Sequence, residues 1–422
     1  MASNTVTTLN GLFKEVYAPM LKWLMPKSLR LQNLVDFVPA DQQPGNNFNQ
    51  PVVLQHEHGF TYAAAGSGAF TISAAIPGQI KNAQVVGSQM LLESLLDYES
   101  AHRASNGGKR AYVQATQYMV ENMWQSTRKR LEIDLMYGQV GLGTVASVTT
   151  AANSVITVTT AEWAPGIWSG MEGAILEFFT AALTTEHVTA LTVKILSVDL
   201  AARTITVDQD LVTGPPTGGA VAANDVIMFA GQRTTSAHNT MAGLHAILAN
   251  TGTLFGLSAA TYSLWKSCAQ SAGAANLSFE VLQRAVAQAT GKGLDEDQLL
   301  IVNPLTFATL LTDQAALRRH GDPNKSQAYV IGAEGLEFHS QVGKITIQPS
   351  IYCKEGYAYL FAPDLFHRVG ATDITFRLQD RGDEFFRHHE TTAAYALRNY
   401  SNQALFTEAP GKACLVSSID NA

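Results

Sequence analysis

Between the double glycine Gly107-Gly108 and Gly138, apolar residues recur at helical spacing without a break. On a wheel of about 100° per residue, Tyr112, Ala115, Met119, Met123, Ile133 and Tyr137 form one stripe. Val113, Val120, Trp124, Leu131 and Leu135 form an adjoining one, and Arg110, Gln114, Glu121, Gln125, Arg128 and Glu132 occupy the opposite face. The pattern predicts a single helix over Lys109–Tyr137, about 45 Å long at ~1.5 Å per residue. Two stripes predict two bodies packed against it, with Tyr112, Met119, Met123, Trp124 and Leu131 as the candidate packing residues.

The chain before that helix offers apolar surface with nothing nearby to cover it. Over 8–24, Leu9, Leu12, Phe13, Val16, Tyr17, Met20, Leu21 and Leu24 follow the spacing of an amphipathic helix, kinked at Pro19. Its face is expected to dock on a distant part of the chain or on a neighbour. A membrane-surface helix is the weaker reading, because Lys14, Lys22 and Lys27 do not form a dense basic face. Pro39 to Gln50 reads as a polar linker. Residues 51–98 read as a long hairpin with an Ala/Gly/Ser tip over 63–69, and a short helix is expected over Tyr98–Asn106. Two strands bury too little to stand alone in water, so the hairpin needs a partner surface. Leu12, Phe13, Val16 and Tyr17 in the arm, and Phe60, Tyr62, Phe70 and Ile72 in the hairpin, are the candidate contacts to another subunit.

Past Gly138 the pattern turns to alternation. Runs at Val155–Thr159, Ala174–Phe179, Val188–Val198, Thr204–Val207 and Val226–Phe229 predict an all-β unit of about five strands over 144–231, a sandwich or barrel. Residues 232–371 read as mixed α and β. Helices are expected after Ser258, after Ser278 (with Phe279, Leu282, Val286 and Ala289 on one face) and over Leu305–Leu311. Strands are expected at Gln298–Val302, Lys344–Gln348 and Tyr357–Phe361. Alternation returns over 372–400, and Ala413 to Ile419 reads as a final buried strand. The fold class is therefore α+β, with more than one core expected for 422 residues.

Composition narrows the function. Only 15% of residues are charged and 46% are hydrophobic, which points to a surface occupied by contacts. The net charge of -7 argues against gripping nucleic acid by a basic face, while allowing a protein to stand beside it. The insert 144–231 carries eight acids and two bases, so nearly all of that charge sits there. Cys268, Cys353 and Cys414 lie far apart among apolar residues, as buried thiols do. No signal peptide or membrane span is evident, and synthesis in a cytoplasm is expected.

Catalytic motifs are weak. Gly291-Lys292-Gly293 lacks the remaining elements of a phosphate loop. His56 with His58, His388-His389-Glu390 and Asp295-Glu296-Asp297 lack third partners at metal or catalytic spacing. Trp163, Trp168, Phe178 and Phe179 fit a core better than a sugar site. No catalytic, cofactor-binding or metal-binding residue is assigned, and an enzyme is not expected.

The order of arm, hairpin, short helix, long helix, α/β core and late strands resembles the major capsid proteins of tailed bacteriophages, the Hong Kong 97-type fold. The local matches are Val86-Gly87-Ser88-Gln89 through Leu91-Leu92, then Tyr98, Ala101, Arg103-Ala104, Ala111-Tyr112, Glu121-Asn122-Met123, Arg130-Leu131-Glu132 and Tyr137-Gly138. Phe385-Phe386-Arg387-His388 and Arg398-Asn399-Tyr400-Ser401-Asn402 add a second stretch. The resemblance implies an N-terminal arm over 1–50, an extended loop and return strand over 51–98, and a peripheral domain over 99–143 with its spine helix at 109–138. It further implies an inserted β domain at 144–231, an axial domain at 232–371, peripheral strands at 372–408 and a C-terminal strand at 409–422. The implied function is a self-assembling icosahedral shell that encloses double-stranded DNA without sequence-specific binding. The implied partners are copies of the chain in hexamers and pentamers and a portal protein, with room for a decoration protein and no membrane. Lys81 is the lysine of the extended loop and nothing beside it marks an activated cross-linking site, so covalent cross-links are not expected. About 50 residues precede the loop, so a separate scaffolding protein is expected. The competing readings are a nanocompartment shell of the same fold around an enzyme cargo, an α/β enzyme, and a receptor or glycan-binding role for the insert.

Overall fold

The computed structural model describes residues 26, 29–38, 47–97, 109–187, 193–213, 219–312, 336–377, 387–388 and 394–421. The arm helix with Leu12, Phe13, Val16 and Tyr17, the expected helix over Tyr98–Asn106 and the side chains of Tyr112, Val113 and Ala115 lie outside the described residues.

The helix over Lys109–Tyr137 forms with the expected bounds. From Leu131 to Gly138 it is buried on every side, whereas Met119, Val120 and Trp124 are half-buried and Tyr118 is 47% exposed. Its sheet is built on one long strand, Ala394–Thr407. Ser88–Asp97 pairs antiparallel along one edge of that strand, and Phe366–Thr375 and Arg387–His388 pair along the other. The two-residue strand Phe37–Val38 adds in parallel beside Phe366–Thr375. Asn399 donates to the Thr127 hydroxyl at 3.0 Å, and Trp124 stacks on Phe376 with ring centroids 6.3 Å apart. Phe366–Thr375 lies wholly in this sheet, which corrects the division expected at 371.

Glu132 corrects the wheel. Placed there on the polar face, it is fully buried and accepts hydrogen bonds at 2.8–2.9 Å from the backbone N–H groups of Arg30, Leu31 and Gln32. Those are among the donors that the start of a helix leaves unsatisfied, and here the helix is the short turn Leu31–Leu34. Burial raises the Glu132 pKa, opposed by these backbone donors.

Residues after Gly138 close into a six-stranded barrel: Gly143–Val148, Val155–Val158, Ile175–Phe179, Val193–Asp199, Thr204–Val207 and Val226–Phe229. Five of these coincide with the runs read from the sequence. The added strand, Gly143–Val148, joins the two ends by pairing with Val226–Phe229 and with Val155–Val158. Trp163 and Trp168 stack at 6.0 Å and are buried, as are Phe178 and Phe179, so these rings fill a core.

The remaining core is a six-stranded sheet in the order Cys268–Ala275, Cys414–Ile419, Ala358–Phe361, Gln298–Val302, Lys344–Pro349, Leu336–His339. Every residue of Gln298–Val302 is buried because the sheet is covered on both faces. Leu299 and Ile301 pack into the core shared with the long helix and the barrel, while Leu300 and Val302 face a second core with the helix Phe279–Thr290. That helix starts as expected, with Ser278 accepting from the Val281 N–H and Phe279, Leu282, Val286 and Ala289 buried. The helix expected after Ser258 does not form. The Ser258 hydroxyl does accept from the Thr261 N–H at 3.2 Å, as a helix cap would. The chain then makes only a short 3-10 turn at Ser263–Trp265, because Cys268–Ser271 pairs in parallel with Cys414–Ser417.

The barrel, the long helix and this sheet meet at Lys354, which is fully buried. Its ammonium contacts Glu162 at 2.5 Å and the Gly141 carbonyl at 3.1 Å, and lies 4.4 Å from the centre of the Tyr137 ring. The Tyr357 hydroxyl donates to the other Glu162 oxygen at 2.8 Å, and the Lys354 N–H donates to the Tyr137 hydroxyl at 2.8 Å. Burial pushes the Glu162 pKa up, but the Lys354 charge and the two side-chain donors outweigh it, and the net shift is downward. Removing one partner strands a buried charge. Glu162→Ala is therefore expected to lower the unfolding free energy by about 3–5 kcal/mol, and the double substitution Glu162→Leu with Lys354→Met to recover most of that loss. Urea denaturation of the unassembled chain measures both; a single variant as stable as wild type contradicts the coupling.

Candidate assembly surface

Asn47–Gln55 and Gln79–Val86 form a two-stranded antiparallel ribbon, running in register from Asn47↔Val86 outward. The expected linker over Pro39–Gln50 is corrected at its end, since Asn47 to Gln50 already pair. Beyond the strands a bridge between His58 and Ile76 continues the arm. Gly59 there has φ of +107°, and a Cβ would come within 2.7 Å of the Ala74 carbonyl oxygen, so only glycine fits. No third strand flanks the ribbon among the described residues.

Its root is held by its own subunit. Ala83 and Val85 are buried, Phe48 meets Phe406 edge-on at 5.2 Å, and the Gln84 N–H donates to the Phe255 carbonyl at 2.9 Å. The Tyr262 hydroxyl donates to the Gln79 side chain at 2.8 Å, and the Lys81 ammonium lies 5.3 Å from the Tyr262 ring. Outward from the root the apolar side chains lose their cover: Phe60 is 73% exposed, Tyr62 89%, Phe70 56% and Ile72 79%. Ten of the sixteen exposed large apolar residues among those described fall between Val53 and Leu95, so the surplus is concentrated in one segment. Leu91 and Leu95, which the sequence reading did not single out, belong to it. They alternate with Glu93 on the outward face of Ser88–Asp97. Leu92 and Leu96 on the other face hid the signal by making the strand apolar on both sides.

No protein-family model matches this sequence, and no curated protein matches it. Solved structures do. The chain is similar to a subunit of the cyanophage A-1(L) capsid, with 10% identity, 99% of each chain covered and a TM-score of 0.58. It is also similar to a subunit from the capsid of an empty GTA particle, with 7% identity, 99% of this chain and 100% of the other covered and a TM-score of 0.52. This chain has the Hong Kong 97-type capsid fold. A holo-encapsulin from Synechococcus elongatus PCC 7942 aligns at 9% identity over 100% of this chain and 98% of its own, but its TM-score of 0.43 is too low to weigh.

On this capsid fold, Lys292 and the acidic pair Asp295 and Glu296 are engaged structurally. Lys292 of the glycine-flanked motif donates to the carbonyls of Lys266 and Ser267 at 2.6 and 3.2 Å. Asp295 and Glu296 both bind the Lys412 ammonium at 2.7 Å. His388-His389-Glu390 brings no described side chain to any site, and no group of three or more His, Cys, Asp or Glu that could hold a metal occurs among the described residues. Burial pushes all three cysteine thiols up, Cys414 to about 12. His245, against Tyr357 and Tyr359, is pushed down to about 4, first by burial and then by the Lys354 charge. Of the long-helix residues named from the sequence, Met123 and Leu131 are buried and Met119 and Trp124 half-buried.

Exposure of the hairpin side chains sets an expectation for the single subunit. Tyr62→Ser with Ile72→Ser removes two large side chains yet should leave the unfolding free energy of the unassembled chain within about 0.5 kcal/mol of wild type. Urea denaturation reads this, and a loss of several kcal/mol places the tip inside the subunit's own core.

Proposed function

We propose that this chain is the major capsid protein of a tailed bacteriophage, many copies of which close into an icosahedral shell around double-stranded DNA. The observation that carries the reading is the capsid fold bearing a ribbon whose root is anchored and whose apolar tip is bare. Such a ribbon stabilises nothing until it lies on another surface, and a shell of identical subunits supplies that surface at every position. In this reading Phe60, Tyr62, Phe70 and Ile72 bury themselves on a neighbouring copy, and Leu12, Phe13, Val16 and Tyr17 of the arm do the same. The segment 51–98 is the extended loop, Lys109–Tyr137 the spine of the peripheral domain, and the six-stranded sheet the axial domain. The barrel is a domain inserted between them.

The chain then works mechanically, without catalysis or cofactor. Its partners are copies of itself in hexamers and pentamers, a separate scaffolding protein and a portal protein, with room for a decoration protein. It encloses DNA without reading sequence, assembles in the host bacterial cytoplasm and resides in the virion.

Negative-stain microscopy of the expressed protein, with and without the scaffolding partner, tests this. Closed shells are expected from the wild type, and none from Tyr62→Ser with Ile72→Ser, whose subunits remain folded. Shells that package a cargo protein and no DNA from their native source would make it an enzyme compartment. A soluble monomer with turnover and no particles would make it an enzyme.

A further inference from the structure

A cavity of about 220 Å³ lies beside the long helix, away from the hairpin tip. Asn122, Gln125, Ser126, Lys129 and Arg130 of the helix line one side, and Tyr352 is among the residues that close it. Three features distinguish it from a packing void. First, its lining holds two cations and no carboxylate. Second, Tyr352 is completely buried, and its hydroxyl has no hydrogen-bond partner in this structure. Third, the Arg130 guanidinium is seated 3.3 Å from the Phe229 ring centre with its Nη1 buried and equally without a partner. Lys129 is buried too, and its ammonium donates to the Ser169 carbonyl at 2.5 Å, leaving further N–H groups unspent. Acidic groups stand nearby but are turned to other duties. Glu121 accepts from the Gln125 amide at 2.8 Å, Glu132 takes the three backbone N–H groups of the short turn, Asp134 accepts from Gln232 at 2.7 Å, and Glu172 is exposed, near enough to act on the Lys129 charge without bonding to it.

Buried donors left unpaired are costly, and an anion satisfies donors and cations together. The donors available, from an ammonium, a guanidinium, a phenol, a hydroxyl and the Asn122 amide, exceed what the two oxygens of one carboxylate accept once Gln125 is spent on Glu121. We propose that this cavity binds a tetrahedral oxyanion of the phosphate or sulfate class. Such a ligand bridges the long helix to the loop carrying Tyr352, and so braces the junction of helix, barrel and sheet.

Inorganic phosphate is the probe, titrated into the purified full-length protein by calorimetry, with thermal unfolding compared between phosphate and chloride at equal ionic strength. One saturable site and a raised unfolding midpoint in phosphate are expected. Tyr352→Phe is the decisive variant, because deleting an unpaired hydroxyl from a dry cavity costs little stability, whereas deleting a ligand contact weakens binding. Phosphate affinity should fall about tenfold in Tyr352→Phe and about 10- to 100-fold in Lys129→Met, the range for losing a neutral or a charge-assisted hydrogen bond. Acetate at the same concentration should not substitute for phosphate. Absence of saturable binding, or unchanged affinity in the folded Tyr352→Phe variant, overturns the proposal.

Discussion

An isolated pair of β-strands has two faces and cannot hide apolar side chains on both of them. The hairpin of this chain meets that constraint by dividing itself. Near the root, Ala83, Val85 and Phe48 use the subunit's own surface, and the Gln84 N–H finds a backbone acceptor outside the ribbon. Toward the tip Phe60, Tyr62 and Ile72 stand largely exposed. Each such side chain gains about 1.5–3 kcal/mol when fully buried, and that gain is withheld until a second surface arrives. Anchoring the root matters as much as baring the tip. A ribbon free to swing would lose conformational entropy on docking, whereas one fixed at its base presents the apolar residues with much of that cost already met in folding.

The same economy of position governs the long helix. Its last turns are largely buried, yet they carry Lys129, Arg130, Glu132 and Asp134. Buried polar groups require partners, and these reach outward from the helix, most toward the barrel and Glu132 toward the N-terminal turn. Lys129 binds the Ser169 carbonyl near the barrel, Arg130 lies over Phe229 of a barrel strand, and Glu132 holds the turn at 30–32. Asp134 takes Gln232 on the chain leaving the barrel, and the Tyr137 hydroxyl accepts from the Lys354 backbone. Apolar packing alone tolerates sliding, because it has no direction. Directed hydrogen bonds at successive turns of one helix fix the rotation of the barrel and the N-terminal turn about it.

What could be read from the sequence follows from where local rules and tertiary structure agree. The long helix announced itself by its length and its flanking glycines, the helix at 279–290 by its Ser278 cap, and Gln298–Val302 by an apolar run stopped at Asn303-Pro304. The hairpin was legible because its surplus had no local cover. Glu132 was misplaced because a wheel assigns charge to solvent and has no means of seeing backbone donors that return from a hundred residues away. Gly143–Val148 and Cys268–Ala275 were missed because their Gly, Ala and Ser content reads as loop, while their strand character comes from neighbours distant in sequence. The sequence named contact candidates in the aromatic tip, which the structure leaves exposed, but not the equally exposed Leu91 and Leu95, where apolar residues on both faces erased the alternation. Lys354 carried no signal, since nothing in a lone lysine foretells a buried carboxylate from another domain.

Charge is distributed in keeping with this division of labour. The segment 144–231 holds eight acids against two bases, whereas 51–97 holds three acids, Glu57, Glu93 and Asp97, against Lys81. A ribbon so sparsely charged meets little electrostatic resistance when it lies against a copy of the same chain. The barrel, carrying most of the net charge, repels its counterparts and also repels a nucleic acid backbone. The chain thus joins a sparsely charged, apolar segment to a strongly acidic one. In the shell proposed above, the packing that satisfies both is one in which ribbons overlap and barrels stand apart.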